Sequence, residues 1–237
     1  MTTHLLRHAR TNYSARYLVN GNPRLPLLLD NEGVRACEAA RRMLPISNVQ
    51  PWITSAFPRA QQTAALLQHP AGPPATVNPA LNELDYGDFD GSPFLDYATW
   101  LQRHGPCARP PGSAESQREG IRRMLHGLLG VLDCPGPRVV VAHGLLLSVL
   151  EWHLTRTPGH PIPLFFPEAP YLEPLTMTDE RLATRTAVLL RALGAQDREV
   201  HSPAQSEARA LEQEAASPHV ANVEPPSNPL EEKFPHA

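Results

Sequence analysis

The chain has 237 residues, 41% of them hydrophobic, which suits one domain with a sizeable core and a tail. The formal net charge of −3 indicates neither nucleic acid nor an anionic membrane as a partner. Cys37, Cys107 and Cys134 show no CxxC spacing, which argues against a disulfide framework or a zinc site. No apolar run approaches the roughly 20 residues of a membrane span, and the N-terminus lacks a signal-like segment, so we expect a cytoplasmic protein.

The first half of the chain alternates between strand-like and helix-like segments. Residues 3–7 predict a short buried strand, and the apolar stripe of residues 33–44 predicts a helix. Residues 52–55 predict a second strand, followed by a helix over residues 59–67. Residues 82–91 form a polar loop that carries glycine and acidic residues.

The second half continues the alternation. Ser116 and Glu119 form a capping-box signal, and the apolar residues of 121–132 follow at helical spacing. Residues 139–142 are the clearest buried strand, and residues 145–154 predict the helix after it. Strands that alternate with helices predict an α/β domain in layers.

The C-terminal third is less regular. Residues 155–175 are rich in proline, with three aromatic residues as expected anchors: Phe165, Phe166 and Tyr171. A last helix is predicted over residues 179–193. We therefore predict a folded domain over residues 1–194 and a disordered tail over residues 195–237, because the tail is poor in apolar side chains.

Four pieces of a phosphate site occur along the chain. They are Arg7-His8 with Thr11, then Arg59, then Glu83, and last His143-Gly144. Three of the four follow a predicted strand, and ligands of open α/β sheets bind outside the carboxyl ends of the strands.

These residue types suit phosphoryl transfer. Arginine side chains and the N–H groups of a helix N-terminus can neutralise a phosphomonoester dianion. A neutral imidazole can attack the phosphorus atom and leave again, and a protonated carboxyl group can supply the proton for the leaving alkoxide. A second histidine can donate to the phosphoryl oxygens, so this chemistry requires neither a metal nor a cofactor.

The sequence resembles the histidine phosphatase superfamily, in its phosphoglycerate-mutase-like branch. Five family motifs occur in order over residues 3–154: RHGxT at 7–11, S-x-x-x-R-A-x-x-T at 55–63, L-x-E-x-x-x-G-x-x-x-G at 81–91, PGGES, here one residue longer, at 111–116, and V-x-H-G at 141–144. The resemblance implies a three-layer α/β/α sandwich around a mostly parallel central sheet.

The resemblance also implies roles for single residues. His8 would be the nucleophile, Glu83 the proton donor, and the phosphate pocket would consist of Arg7, Arg59 and His143. Asp85 is the alternative acid, because it lies in the same loop. Residues expected to contact the substrate are Arg7, Thr11, Ser14, Gly21, Arg59, His143 and Gly144.

The chain departs from the family pattern near its first motif. Ala9 replaces a glycine, Arg10 replaces a usual acidic or amide residue, and Ser14 stands where many members carry a phosphate-contacting asparagine. Arg10 and Arg16 could face the substrate or solvent, and residues 28–32 are altered, so substrate selection is expected to differ here.

The leading hypothesis is a metal-independent phosphomonoesterase that acts on a small phosphorylated metabolite through a phosphohistidine. Two alternatives stay open: a phosphoglycerate-type mutase, and a scaffold that binds a phosphorylated ligand with little turnover. Only Arg103 and Arg109 are basic between Gly91 and Glu115, where mutases usually carry more, which favours hydrolysis. The oligomeric state is open, with a homodimer as one option.

Overall fold

The computed structural model describes residues 1–156 and 159–200. The chain divides into two units, Met1–Asp197 and Arg198–Ala237, and the fold below is that of the first unit. Most of the tail predicted over residues 195–237 lies outside the described residues. Among the described helices, none is long and apolar enough to cross a membrane.

The centre of the domain is a five-stranded sheet in the order β3-β2-β4-β1-β5. The first four strands are parallel, and β5 is antiparallel to β1. The strands are β1 (Thr2–Arg7), β2 (Trp52–Thr54), β3 (Thr76–Val77), β4 (Arg138–Ala142) and β5 (Leu175–Thr178). The predicted mostly parallel sheet is therefore confirmed.

Six α-helices of the described part of the chain flank the sheet. They are α1 (Asn31–Met43), α2 (Pro58–Leu67), α3 (Phe94–His104), α4 (Gln117–Val131), α5 (Gly144–Thr155) and α6 (Asp179–Val200). Successive side chains of a strand point to opposite faces of the sheet, so Leu5 and Val140 pack into one buried cluster and Leu6 and Val141 into another. The two clusters make the expected three-layer sandwich.

The structure corrects several local predictions. Helix α3 was not predicted, because only Tyr97 and Leu101 of its turns are buried and its apolar stripe is narrow. Strand β5 was not predicted either, since it alternates around a single buried residue, Met177. The expected anchor Phe165 is 42% exposed, whereas Phe166 packs edge-on against the Trp152 ring at 5.8 Å.

The last helix runs to Val200, seven residues beyond its predicted end. Gln196 accepts a hydrogen bond from the buried Arg118 at 3.1 Å, and Asp197 pairs with Arg118 and Arg122. The boundary predicted at residue 194 therefore falls within this helix, just before the two residues, Gln196 and Asp197, that contact α4.

The parallel pairing brings three segment ends to one edge of the sheet. Strand β1 pairs with β4 up to Arg7, and the His8 N–H then donates to the Ala142 carbonyl at 3.0 Å. Past the end of β2, the Ser55 N–H donates to the Val141 carbonyl at 3.3 Å. Arg7-His8, Ser55 and the residue after Ala142 therefore meet at this edge.

Candidate active site

Four of the five predicted catalytic side chains lie in one connected group. Arg59 Nε donates to His8 Nε2 at 3.0 Å, and Arg59 Nη2 lies 3.3 Å from His143 Nδ1. The rings of His8 and His143 are 5.2 Å apart, and Glu83 Oε2 lies 4.0 Å from His143 Nδ1. Arg7 lines the same cavity as His8, Arg59 and Glu83. The fold thus brings the predicted set together.

His8 is held as one neutral tautomer. Its Nδ1 lies 2.7 Å from the Ala9 carbonyl oxygen, which can only accept, so Nδ1 carries the proton. Nε2 accepts from Arg59, so its lone pair faces the site. Burial lowers the pKa of His8 well below 6.5, and the charge of Arg59 lowers it further. His8 is therefore neutral near pH 7, with the reactive nitrogen unprotonated.

Arg59 is a buried cation in the first turn of α2. Asn20 fixes its guanidinium, accepting from Nη1 with Oδ1 at 2.6 Å and from Nη2 with its carbonyl at 3.2 Å. The Phe57 ring lies 4.2 Å beneath it. Burial lowers the pKa of Arg59 to about 10, so it stays charged at neutral pH.

No carboxylate of the described residues forms an ion pair with Arg59, although its exposed fraction is only 4%. The charges of Glu83 and Asp90 favour the Arg59 cation from beyond ion-pair distance. A buried charge without a counterion in contact is costly, and the N-terminus of a helix adds positive potential at the same point. The local electrostatics therefore favour an anion next to Arg59.

Arg7 is tied to the segment before β5. Its Nη1 donates to Glu168 Oε1 at 2.8 Å and to the Ala169 carbonyl at 2.5 Å, and its Nη2 donates to the Tyr171 hydroxyl at 3.0 Å. Tyr171 thus fulfils its predicted role as an anchor. The Nε–H of Arg7 is buried without a hydrogen-bond partner in the described chain. A Cβ on Gly144 would lie 3.3 Å from this nitrogen, so glycine leaves the space beside it open.

Glu83 is buried beside these cations. Its Oε1 accepts from the Leu84 N–H at 2.9 Å. Burial raises the pKa of Glu83 above 4.5, while the Leu84 hydrogen bond and the charge of Arg59 oppose the rise. A carboxyl group that holds its proton more tightly than usual suits a proton donor. The alternative acid, Asp85, is occupied by the N–H groups of Gly87 and Ala114 at 3.0 and 2.8 Å.

Arg123 of α4 holds the loop that carries Glu83. It donates to the carbonyls of Ala80, Asn82 and Glu83 at 3.1, 2.9 and 3.2 Å. Its other contacts are with the Glu115 carboxylate at 2.6 and 2.9 Å. The backbone of the loop that carries Glu83 is therefore held by the Arg123 side chain.

Three other residues expected to contact the substrate lie at the cavity, whereas the nearby Arg10 is occupied by carboxylates. Thr11, Ser14 and Gly144 line the cavity. Ser14 Oγ accepts from the Thr11 N–H at 2.9 Å, so this hydroxyl closes a turn. Arg10 pairs with Asp30 and Glu32 at 2.8 and 2.6 Å, so its charge is already matched.

Gly21 lies where two backbone segments meet beside the site. It does not line the cavity, and its N–H donates to Asp90 Oδ1 at 2.6 Å. A Cβ at this position would lie 2.2 Å from the Leu84 carbonyl oxygen. Glycine is needed because two backbone segments touch here, so Gly21 has a packing role where substrate contact was expected.

Sequence reasoning missed several supporting residues. Asn20 and Arg123 carried no local signal. Ser55 was part of a quoted motif but received no role, and its Oγ lies 2.7 Å from His143 Nε2. The sequence offered two hints: Asn20 lies next to the predicted site residue Gly21, and Ser55 opens the motif at residues 55–63.

The site opens into a cavity of about 490 Å³. Among its lining residues the charged side chains are two cations, Arg7 and Arg59, and two carboxylates, Glu83 and Glu168. The other lining residues are neutral, and many are aromatic or aliphatic.

The chain is similar to known proteins over most of its length. Residues 3–205 match the family model of the histidine phosphatase superfamily (branch 1). A 2,3-bisphosphoglycerate-dependent phosphoglycerate mutase of Methylobacterium sp. (strain 4-46) is 34% identical over 178 residues, which cover 65% of this chain and 83% of that protein.

Solved structures of similar fold include two phosphatases. The α-ribazole phosphatase of Shigella flexneri is similar with a TM-score of 0.58 and 21% identity, over 75% of this chain and 90% of that chain. A mycobacterial glucosyl-3-phosphoglycerate phosphatase is similar with a TM-score of 0.60 and 22% identity, over 75% of this chain and 92% of that chain. At these identities the likeness concerns the fold.

Proposed function

The chain belongs to branch 1 of the histidine phosphatase superfamily, and from this premise we propose that it is a phosphomonoesterase working through a phosphohistidine at His8. One observation carries the proposal. A buried arginine without a carboxylate partner in the described chain, Arg59, donates directly to the lone pair of a neutral histidine. This arrangement suits a phosphate group held by Arg59 and attacked by His8 Nε2.

In the first step, the Arg59 Nε–H exchanges its bond to His8 Nε2 for one to a phosphoryl oxygen. The freed Nε2 lone pair forms a bond to phosphorus, and the bond between phosphorus and the ester oxygen breaks. The leaving oxygen takes that electron pair and receives the proton of Glu83. The N–H groups of Arg7 and Arg59 hold the phosphoryl oxygens. His143 Nδ1 lies 3.3 Å from Arg59 Nη2, which can only donate, so Nδ1 accepts and the Nε2–H donates to the Ser55 hydroxyl. His143 thus helps to position the Arg59 guanidinium that holds the phosphoryl oxygens.

In the second step, water attacks the phosphorus atom of phospho-His8. The Glu83 carboxylate accepts a proton from this water, and the electron pair of the phosphorus–nitrogen bond returns to Nε2. Inorganic phosphate leaves, and both side chains regain their initial protonation states. The two guanidinium groups supply the positive charge, so we propose that no metal takes part.

A phosphoglycerate-type mutase is the second candidate, favoured by the name of the Methylobacterium relative. Such an enzyme must hold a substrate that carries a second anionic group. Among the described residues that line the cavity, the cations are Arg7 and Arg59. Arg109 pairs with Glu119 at 2.6 Å and does not line the cavity, and neither does Arg103. These positions support hydrolysis over transfer.

Phosphate release from a panel of phosphomonoesters, in the presence of a metal chelator, tests the proposal. We expect release by the native chain and none by His8→Ala. His126→Ala, which changes an exposed histidine of α4, serves as the matched control. Faster interconversion of phosphoglycerates than phosphate release would instead support the mutase. Tight phosphoester binding without either reaction would support a scaffold.

A further inference from the structure

We propose that the alcohol released by this enzyme is uncharged and bulky, with an aromatic or other large apolar group that binds an apolar wall of the cavity. The apolar wall consists of Tyr17, Phe94, Leu95 and Phe165. This inference rests on the phosphomonoesterase function proposed above, and it concerns the part of the substrate that is not phosphate.

The apolar wall concentrates exposed apolar surface at one place. Eight large hydrophobic residues of the described chain are exposed, and four of them line this cavity. Tyr17 and Leu95 are each 72% exposed, and Phe94 and Phe165 are 44% and 42% exposed. Scattered apolar residues on a surface are ordinary, but a cluster at the mouth of a cavity indicates a binding surface.

Backbone contacts hold the wall in place before any ligand binds. The Tyr17 carbonyl accepts from the Phe94 N–H at 2.7 Å, and the Val19 N–H donates to the Ser92 carbonyl at 3.0 Å. Tyr17 lies in the left-handed region at φ 55°, a conformation that a non-glycine residue keeps only where its surroundings impose it. The ring is therefore displayed at the mouth by a fixed turn.

The charges of the cavity disfavour an anionic leaving group. Arg7 and Arg59 are the lining cations, and both are needed for the phosphate dianion. Glu168 lines the same cavity, and its side chain is 60% exposed. Arg7 already pairs with Glu168 at 2.8 Å, so a carboxylate or a second phosphate on the substrate would find no further cation among the described lining residues.

The size of the cavity agrees with a bulky group. Its volume of about 490 Å³ falls within the range of pockets that hold drug-sized ligands, roughly 300–1,000 Å³. A phosphate bound at Arg7 and Arg59 fills only a small part of that space. The rest is available to the leaving group, beside the apolar wall.

Two alkyl esters whose alcohols leave with similar ease test the inference: 3-phenylpropyl phosphate and 3-carboxypropyl phosphate. Burying a phenyl ring is worth roughly 2 kcal/mol, a factor of about 30, so we expect kcat/KM to be at least about tenfold higher for the phenyl ester. Phe94→Ala should reduce this ratio several-fold. Met43→Ala, which removes an exposed apolar side chain outside the cavity, should keep it.

Leu95→Lys provides a second variant at a highly exposed position, so its folding is not at risk. It should raise kcat/KM for the carboxy ester and lower it for the phenyl ester. Equal rates for the two esters, or a ratio unchanged in both wall variants, would overturn this inference while leaving hydrolysis intact. Failure to hydrolyse either ester would contradict the phosphomonoesterase itself, and this inference with it.

Discussion

The Nε–H group of Arg59 lies 3.0 Å from His8 Nε2, so the cation suited to hold a phosphate touches the atom suited to attack it. This contact requires the lone pair of Nε2, because a protonated Nε2 would direct a second N–H at the guanidinium. The Ala9 carbonyl enforces the same tautomer from the other side of the ring. The nucleophile is thereby prepared before a substrate binds.

The role proposed for Glu83 predicts a dependence on the leaving group. Glu83→Gln should slow alkyl phosphates by roughly 10²–10⁴-fold, because their alkoxides need a proton. It should slow 4-nitrophenyl phosphate by less than about tenfold, since nitrophenolate leaves without one. Steady-state kcat/KM values on both esters are the measurement. Glu168→Gln, a second carboxylate in the cavity, is the matched control and should affect both esters alike. A selective loss in that variant would make Glu168 the acid.

Burial of Glu83 also predicts a pH-dependent stability. Because its pKa is raised in the folded protein, ionisation of Glu83 destabilises the fold, increasingly as the pH rises above 4.5. Glu83→Gln removes this cost, so its melting temperature should exceed that of the native chain at pH 8. The gain should shrink as the pH falls through and below 4.5, where the carboxyl group becomes protonated in both the folded and the unfolded state. A gain that stays constant with pH would contradict the raised pKa.

The chain order of elements was largely predictable because apolar runs mark buried strands. Strand β4 and the capped start of α4 are strong local signals of this kind. Strand β5 was missed because its apolar and polar residues alternate over four positions only, which is a weak signal, and its place depends on antiparallel pairing with β1. Local signals likewise could not show that α6 continues past residue 193 to contact Arg118.

The site residues were likewise predictable where a motif marked them and were missed where only the fold brings them to the site. His8, Arg59 and His143 were identified by motifs, and the parallel strands explain why they meet. Asn20 and Arg123 were missed because each contacts a residue far away in the sequence. Asn20 lies 39 residues before Arg59, and Arg123 lies 40 residues after Glu83. Contacts of this range arise from the fold and leave no spacing in the sequence.

The packing role of Gly21 predicts a loss of stability. A Cβ there would lie 2.2 Å from a backbone oxygen, which cannot move aside as a side chain could, so Gly21→Ala should cost roughly 3 kcal/mol or more. Gly130→Ala is the matched control: nothing lies within 4 Å of its Cβ position, and it should stabilise α4 by about 0.5–1 kcal/mol. Thermal unfolding compares the two. Normal stability with a raised KM in Gly21→Ala would support substrate contact.

The contacts of α6 predict where the domain ends. A chain that stops at residue 194 loses Gln196 and Asp197 and leaves the buried Arg118 without its acidic partner. Compared with a chain that stops at Val200, it should be less stable by roughly 2 kcal/mol, or about 4–8 °C in melting temperature. Asp197→Asn in the full chain should shift the melting temperature in the same direction. Equal melting temperatures for the two shortened chains would support the boundary at 194.

Trapping of the phosphorylated enzyme tests the phosphohistidine mechanism most directly. The native chain is mixed with a labelled phosphomonoester and quenched in base during turnover, since phosphohistidine is stable in base and labile in acid. We predict label on the native chain and on His126→Ala, and none on His8→Ala. Absence of label from the native chain during turnover, or its presence on His8→Ala, would contradict covalent catalysis by His8.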